Sequence, residues 1–416
     1  MYEYNFEKKR NNIEEILKNS IEKNREQYYF QFEIFKNNQK SQYNNSKNGN
    51  NIKKKKTIVK NEDNNQKEVV DFDEIDKLKF ETFYNVGFGL FDMTSSIIYK
   101  NFRNIKFEYI IFKNCVFKNV QFENCVFLGC EFLECEFINT EFKSNTFYDL
   151  KTKNLTYFFN SSFENVTFKA SDLKRVIFQM NNIKNINFIL SNLKKSIFEK
   201  NKIESIYFTD CDLKSFSMIN NEIEKLEFED EFLTKLNENT FFDKIIIPKD
   251  SEKDYTNIYK IYKNIASQFE SNRILNISGE YNYLYKCSEN KALEGFSKAK
   301  SKIFWIVCGY GERPTYALIT SFEIILVFAI MYLFTGISVG GKFINYNLSL
   351  FFMLEKKVIL VDFLESLYFS LVTFTTVGYG DIIPIGTSII LSSVEMILGV
   401  TMVGIWTATL ARKITR

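Results

Sequence analysis

Large apolar side chains fall at every fifth position through the middle of this chain. Phe102, Phe107, Phe112, Phe117, Phe122, Phe127, Phe132, Phe137, Phe142 and Phe147 hold that spacing. After an irregular insertion at about 148–157 the spacing resumes at Phe158, Phe163, Phe168, Leu173 and Phe178 and continues to Phe228. A helix repeats its apolar face every 3.6 residues and a strand every two, so neither yields five. A repeating coil does, with one side built by each five-residue unit. The second inward position lies two residues before each large one and is mostly small: Cys115, Val120, Cys125, Cys130, Cys135, Thr140, Val166, Ser171, Val176, Ser191, Ser196 and Cys211. Small side chains belong there because the faces of the coil converge on one axis.

Other patterns flank this region. Ile13, Ile16, Leu17 and Ile21 predict an amphipathic helix within residues 4–36. Residues 37–68 are Asn, Lys, Gln and Ser with little apolar surface to offset chain entropy, so disorder is expected; the lysine run at 53–56 reads as part of a solvated linker. Past the repeat, Phe232, Leu236, Phe241, Phe242 and the run 245–247 form a closing segment, since an exposed solenoid end needs a cover. Helices are predicted over 255–268 and 280–304, separated at Ser278-Gly279, as a connector.

Two long apolar runs follow, 316–337 and 387–410, each long enough at 1.5 Å per residue to cross hydrocarbon. Pro314 fits the first turn of the first one. Between the runs, Asp362-Phe363-Leu364-Glu365 has the spacing of a capped helix start, and the apolar stretch ending at Phe374 is too short to span. Lys298, Lys300, Lys302 and Arg313 precede the first run, and Arg412, Lys413 and Arg416 follow the second. Both flanks are therefore expected on the cytoplasmic side, with the intervening segment facing outward and dipping back.

The five-residue period over roughly 97–230 resembles the pentapeptide-repeat family, whose fold is a right-handed quadrilateral β-helix with four repeats per coil. The resemblance implies a solenoid roughly 30 Å tall at about 4.8 Å per coil. Its phenylalanines would be a stacked core and its cysteines small core fillers. Family members that mimic DNA are strongly acidic outside; the outward charges here are mixed, so that role is not expected.

Composition narrows the function. The chain has 416 residues, room for two or three domains, and Lys+Arg 54 against Asp+Glu 51 leaves a net charge of +3, which gives no reason to expect a nucleic-acid partner. Histidine is absent, removing the commonest general base and metal ligand. No nucleotide-binding glycine loop, calcium loop or zinc spacing occurs, and no enzymatic activity or cofactor is expected. The seven cysteines form no CxxC pair and read as free thiols in a reducing compartment. The first apolar residues are interrupted by Lys, Glu and Asn, so no signal peptide is expected and the chain should start in the cytosol. Abundant Lys, Asn, Ile and Phe suit an AT-rich bacterial genome.

Chemistry concentrates at Thr375-Thr376-Val377-Gly378-Tyr379-Gly380-Asp381. Consecutive backbone carbonyls and one threonine hydroxyl directed into a narrow tube replace the water shell of a cation. Alternate residues must then take unusual backbone angles, and Gly378 and Gly380 reach positive φ without a Cβ clash. One loop supplies a quarter of a ring, so four chains are implied. A second GYG, Gly309 to Gly311, has no Thr-Thr-Val before it and Glu312-Arg313 after it, so it is not read as a filter.

In order, length and motif, residues 316–411 resemble the pore of two-transmembrane bacterial potassium channels. The resemblance implies a potassium filter at Thr376, Val377, Gly378, Tyr379 and Gly380, flanked by Thr375 and Asp381, with K+ as the permeant ion and no other metal. It places a hinge at Gly399. Val400, Val403, Gly404, Thr407, Ala408 and Ala411 would line the cavity and gate, as in simple proton-gated bacterial channels. Val372 stands where those relatives carry a glutamate, so their inactivation is not expected here. Stretches like Gly309-Tyr310-Gly311-Glu312-Arg313-Pro314 also precede the first membrane helix in channels that carry pentapeptide repeats.

Glu323 and Glu395 lie within the two spans, where a carboxylate is costly. They sit toward opposite ends and are not expected to pair. Glu395 is expected to hydrogen-bond near the pore helix and steady the filter, and Glu323 to be a buried neutral acid bonded to a neighbouring helix. Neither span repeats arginine at three-residue spacing, so no voltage sensor is expected.

The expected architecture is multi-domain: an N-terminal helical segment (1–36), a linker (37–70), a β-solenoid with flanking caps (71–250), a helical linker (251–312) and an all-α pore (313–416) with a pore helix at 363–374. The reading is a homotetrameric, multi-pass plasma-membrane potassium channel with both termini cytoplasmic, gated by its solenoid. The alternative is a membrane-anchored pentapeptide-repeat scaffold whose pore serves only as an anchor.

Overall fold

The computed structural model describes residues 4–46, 77–79, 81–84, 87–88, 101–148, 155–246, 255–347 and 356–415. They belong to two compact units, Met1–Tyr281 and Asn282–Arg416.

The first unit is built on a four-faced parallel β-solenoid. Phe112 pairs beside Phe132, Phe158 beside Phe178 and Phe178 beside Phe198, each 20 residues apart, while the step from Phe132 to Phe158 is 26. Twenty residues are four units of five, so one coil has four sides, and the insertion adds six residues to one corner. The chain turns two residues after most of the large side chains, where for example Asn114, Asn119, Asn124 and Gly129 have φ of 52, 55, 54 and 63°. Asn and Gly tolerate this left-handed geometry best. Large side chains then stack between coils: the Phe112–Phe132, Phe117–Phe137, Phe122–Phe142 and Phe127–Phe147 centroids lie 4.8 to 4.9 Å apart with nearly parallel rings. That spacing matches the separation of neighbouring strands.

The small inward positions form columns whose chemistry changes along the axis. One column runs Cys115, Cys135, Ser161, Asn181, Asn201, Asn221, all buried. Asn201 Nδ2 donates to the Phe178 carbonyl at 3.0 Å and its Oδ1 accepts from the Asn181 N–H at 2.9 Å; Asn181 and Asn221 repeat both bonds one coil away. A buried amide is tolerable only when so paired. Sorting inward positions by size alone overlooks this ladder. Asn201→Ala leaves the Asn181 N–H unpaired and takes the side-chain donor from the Phe178 carbonyl, which keeps its strand partner. The expected loss is about 1–3 kcal/mol for the orphaned N–H. Urea unfolding of the solenoid checks it, with the exposed Asn182→Ala as a near-silent control. The buried cysteines donate to carbonyls as well, Cys130 Sγ to Phe107 at 3.4 Å and Cys211 Sγ to Phe188 at 3.2 Å. Burial pushes the Cys125 thiol up to about 11 and those of Cys130 and Cys211 up to about 12, so they stay protonated at neutral pH and fill space.

The solenoid begins earlier than residue 97. Strands Lys77–Lys79, Thr82–Tyr84 and Gly87–Phe88 set Leu78, Phe83 and Phe88 in register with Phe107, Phe112 and Phe117. Those three positions already show the five-residue step, but three units are too few to stand out. The N-terminal helix also differs from expectation: α1 spans Phe6–Ser46. Residues 37–46 are therefore helical rather than disordered, and 47–70 lie outside the described residues. Phe6, Ile13 and Leu17 on α1 are buried, and Arg10 makes a two-point contact with Asp243 at 2.5 and 3.0 Å.

The C-terminal end of the solenoid is closed by helices. Leu236, Phe241 and Phe242 are buried, but Phe232, expected in the closing segment, is 85% exposed. The cover is α2 (Tyr255–Ser271) with the start of α3 (Leu275–Ala292). Gln268 Nε2 donates to the Thr234 carbonyl at 3.0 Å. The Tyr281 hydroxyl accepts from the Phe242 N–H at 3.0 Å and donates to its carbonyl at 2.5 Å. What the sequence presents as a connector is here a cap. Ser278-Gly279, expected to break the chain, lies inside α3, where the small side chains permit close approach and Ser278 Oγ donates to the Ala266 carbonyl at 2.9 Å. The turn falls instead at Arg273, φ 60°.

In the second unit the helix expected over 280–304 is divided, with α4 (Gly295–Cys308) separate from α3. Among the described residues three helices follow: α5 (Pro314–Thr335), α6 (Lys356–Phe374) and α7 (Ser388–Ile414). Pro314 occupies the first turn of α5. Short antiparallel strands, Lys342–Ile344, Ile337–Val339 and Ile382–Pro384, join the far ends of α5 and α7. α6 starts well before the expected residue 363, so Asp362 sits inside it rather than capping it. Its carboxylate instead takes hydrogen bonds from Lys342 Nζ and the Tyr346 hydroxyl, which holds the Lys342 ammonium above its usual range. α5 and α7 are each long and apolar enough to cross a membrane.

Candidate ion-conduction site

The motif loop leaves the C-terminal end of α6. The helix is extended into it by hydrogen bonds from Thr375 N to Leu371 O and from Val377 N to Val372 O, both 3.0 Å. Gly378 and Gly380 take φ of 56 and 79°, the positive values the sequence requires of them. An added Cβ at either would meet nothing within 4 Å, so the need for glycine in this chain is conformational rather than steric. Thr376 also has φ of 58°, which sequence reasoning gave only to the glycines. For a β-branched residue this is strained backbone. Its Oγ1 donates to the Thr375 carbonyl at 2.7 Å. Val377 and Tyr379 are exposed on the single chain.

Three supports fix the loop's position. α7 passes so close behind the end of α6 that a Cβ on Gly399 would lie 1.9 Å from the Phe374 carbonyl oxygen. The hinge position of the sequence reading is thus also a close-packing position. A few residues earlier on α7, Glu395 is fully buried and joins three helices. Its Oε2 accepts from the Tyr332 hydroxyl of α5 at 2.6 Å, and its Oε1 pairs with Ser370 Oγ of α6. At the far end of the loop Tyr368 of α6 lies near Asp381.

Other site residues fall into two groups. Val400, Val403, Gly404, Thr407, Ala408 and Ala411 are all exposed and share one face of α7. Glu395, Gly399, Met402 and Thr409 occupy the opposite, buried face. Glu323 does not behave as expected: it is exposed on its own chain rather than buried against a neighbouring helix, because its face of α5 is not covered by α6 or α7. It does not pair with Glu395.

Sequence reasoning missed one contact in this unit. Glu312, 3% exposed at its side chain, pairs with Arg412 Nη2 at 3.0 Å and ties the turn before α5 to the end of α7. Gly309, Tyr310 and Gly311 make the turn, with φ of 52, 57 and 78°. The signal was the acid following the second GYG, which sequence reading used only to reject that stretch as a filter.

Comparison with known proteins adds a family and some structural neighbours. Residues 341–416 match the family model described as "Ion channel". Among curated proteins no match is found. Solved structures that overlap this chain include trypsin-treated QnrB1, a plasmid-mediated fluoroquinolone resistance protein, at 16% identity over 40% of this chain and 78% of that one, TM-score 0.25. Another is HetL, a pentapeptide repeat protein involved in heterocyst differentiation regulation from the cyanobacterium Nostoc sp. strain PCC 7120, at 5% identity over 42% of this chain and 91% of that one, TM-score 0.17. At such scores the superpositions carry no argument, and the four-faced solenoid rests on its own strand register. The C-terminal segment, residues 341–416, is thus similar to an ion channel domain, and among the described residues two helices are of membrane-spanning length, with a β-solenoid earlier in the chain.

Proposed function

We propose that four copies of this chain form a potassium-selective channel in the plasma membrane, with both termini in the cytoplasm and the solenoid biasing the pore. The observation that carries the reading is the loop 375–381, with positive φ at Gly378 and Gly380, held between the end of α6 and the close-packed Gly399. Carbonyls of Thr376 to Gly380 from four chains would replace the hydration shell of K+. The uncovered face of α7 from Val400 to Ala411 supports the tetramer, since it would line the cavity and gate. The basic residues at 298–302 and 412–413 support the orientation. Permeation is passive and uses no cofactor.

Reconstitution into liposomes tests this. Potassium flux well above sodium flux is expected, and its loss in Gly378→Asp. Equal fluxes of the two ions, or unaltered flux in that variant, would contradict the reading. Control by the solenoid is tested by removing residues 1–250: flux is expected to persist with an altered open fraction, and an unchanged open fraction would remove the gating role.

A further inference from the structure

The unit Met1–Tyr281 holds a groove of about 470 Å³ between α1 and one face of the solenoid, which conduction does not use. Its solenoid wall is a ladder. Arg175, Lys195 and Ser215 occupy the same corner of successive coils, with φ of 63, 59 and 60°. Two residues further on, Ile177, Ile197 and Ser217 lie side by side in parallel register. The other wall is one face of α1, which contributes Lys9, Asn12, Ile13, Ile16 and Ser20 at helical spacing.

The charge pattern sets this corner apart. On other faces the one-coil step pairs opposite charges in places, such as Lys143 with Glu123 at 2.8 Å and Lys184 with Glu164 at 3.1 Å. Here it stacks Arg175 on Lys195, about 4.8 Å apart along the axis. Among the described residues neither makes a salt bridge, and the lining contains three cations and no carboxylate. Like charges one coil apart repel and are relieved by an anion between them. Burial lowers the pKa of Lys9, outweighing the nearby Glu238, and an anion in the groove would oppose that shift. The volume lies within the range of small-molecule sites and exceeds what an inorganic phosphate fills, and Ile177 and Ile197 supply an apolar strip beside the cations.

We propose that this groove binds a nucleotide-sized organic phosphate, with Lys9, Arg175 and Lys195 on the phosphate and the isoleucine strip against its flat apolar part. Isothermal titration of the full chain in detergent with ADP, GDP, glucose 6-phosphate and inorganic pyrophosphate tests it. At least one organic phosphate is expected to bind saturably and more tightly than pyrophosphate. That affinity should fall at least about tenfold in Arg175→Gln/Lys195→Gln and stay unchanged in the outward control Lys214→Glu. No saturable binding by any organic probe, equal affinity in the double variant, or pyrophosphate binding as tightly would overturn the proposal. An unchanged melting temperature of the unliganded double variant shows that folding is not the cause. The assay reads binding without flux, so its outcome is separable from the reading of the pore.

Discussion

Gly399→Val is expected to abolish ion flux while leaving the solenoid folded. The Phe374 carbonyl would have to retreat from the 1.9 Å that an added Cβ leaves, and Phe374 is the residue from which the loop 375–381 departs. Backbone on both sides leaves no flexible side chain to give way, so the overpacking cost exceeds the usual ~1–3 kcal/mol for a crowded core. Alanine already places the offending atom and should differ only in degree. Gly404→Ala is the matched control for packing: its added methyl meets nothing within 4 Å on its own chain, so the contact of α6 with α7 and the melting temperature should be unchanged. The readout is liposome flux together with the far-ultraviolet signal of the β-coil. Near-normal flux in Gly399→Val would mean that α6 and α7 do not meet as closely as described.

The second large effect is expected at Glu395. Glu395→Ala strips the buried Tyr332 and Ser370 hydroxyls of a shared partner and separates α5, α6 and α7 at one point. About 1–3 kcal/mol for the orphaned Tyr332 hydroxyl, with Ser370 falling back on the Ile325 carbonyl, predicts a lower melting temperature and loss of flux. Glu395→Gln separates hydrogen bonding from charge. Its amide can accept from Tyr332 and donate to Ser370 Oγ, which has a second acceptor in the Ile325 carbonyl at 2.9 Å. The glutamine variant should therefore retain most stability and flux. If glutamine proves as damaging as alanine, the carboxylate acts through its charge rather than through the bonds it makes.

What the sequence revealed depended on how local each constraint is. The five-residue period is local and strongly repeated, so Phe112 to Phe147 disclosed the coil and its core directly. Phe83 was missed because its unit of the pattern is short, although its ring stacks on Phe112 at 5.2 Å. The glycine angles at 378 and 380 were legible because only glycine reaches them freely; the angle at Thr376 was not, since nothing about a threonine announces positive φ. Contacts between distant segments were least visible. Glu312 with Arg412, and Tyr332 with Glu395, join residues far apart in sequence through burial that no periodicity encodes. Glu395 was suspected because a carboxylate within an apolar span is costly, and the same argument misled at Glu323, which is exposed on its own chain. The helix break expected at Ser278-Gly279 failed for a related reason: small residues mark a break and a close helix contact alike, and only packing against Ala266 decides between them.

The central claim is selectivity at the loop 375–381. The direct measurement is the reversal potential of the purified full-length protein in a planar bilayer with potassium on one side and sodium on the other. A reversal potential far from zero, of the sign that potassium permeability dictates, is the predicted result. A reversal potential at zero with measurable current would contradict it, for the carbonyls of Thr376 to Gly380 would then not be discriminating between the two ions.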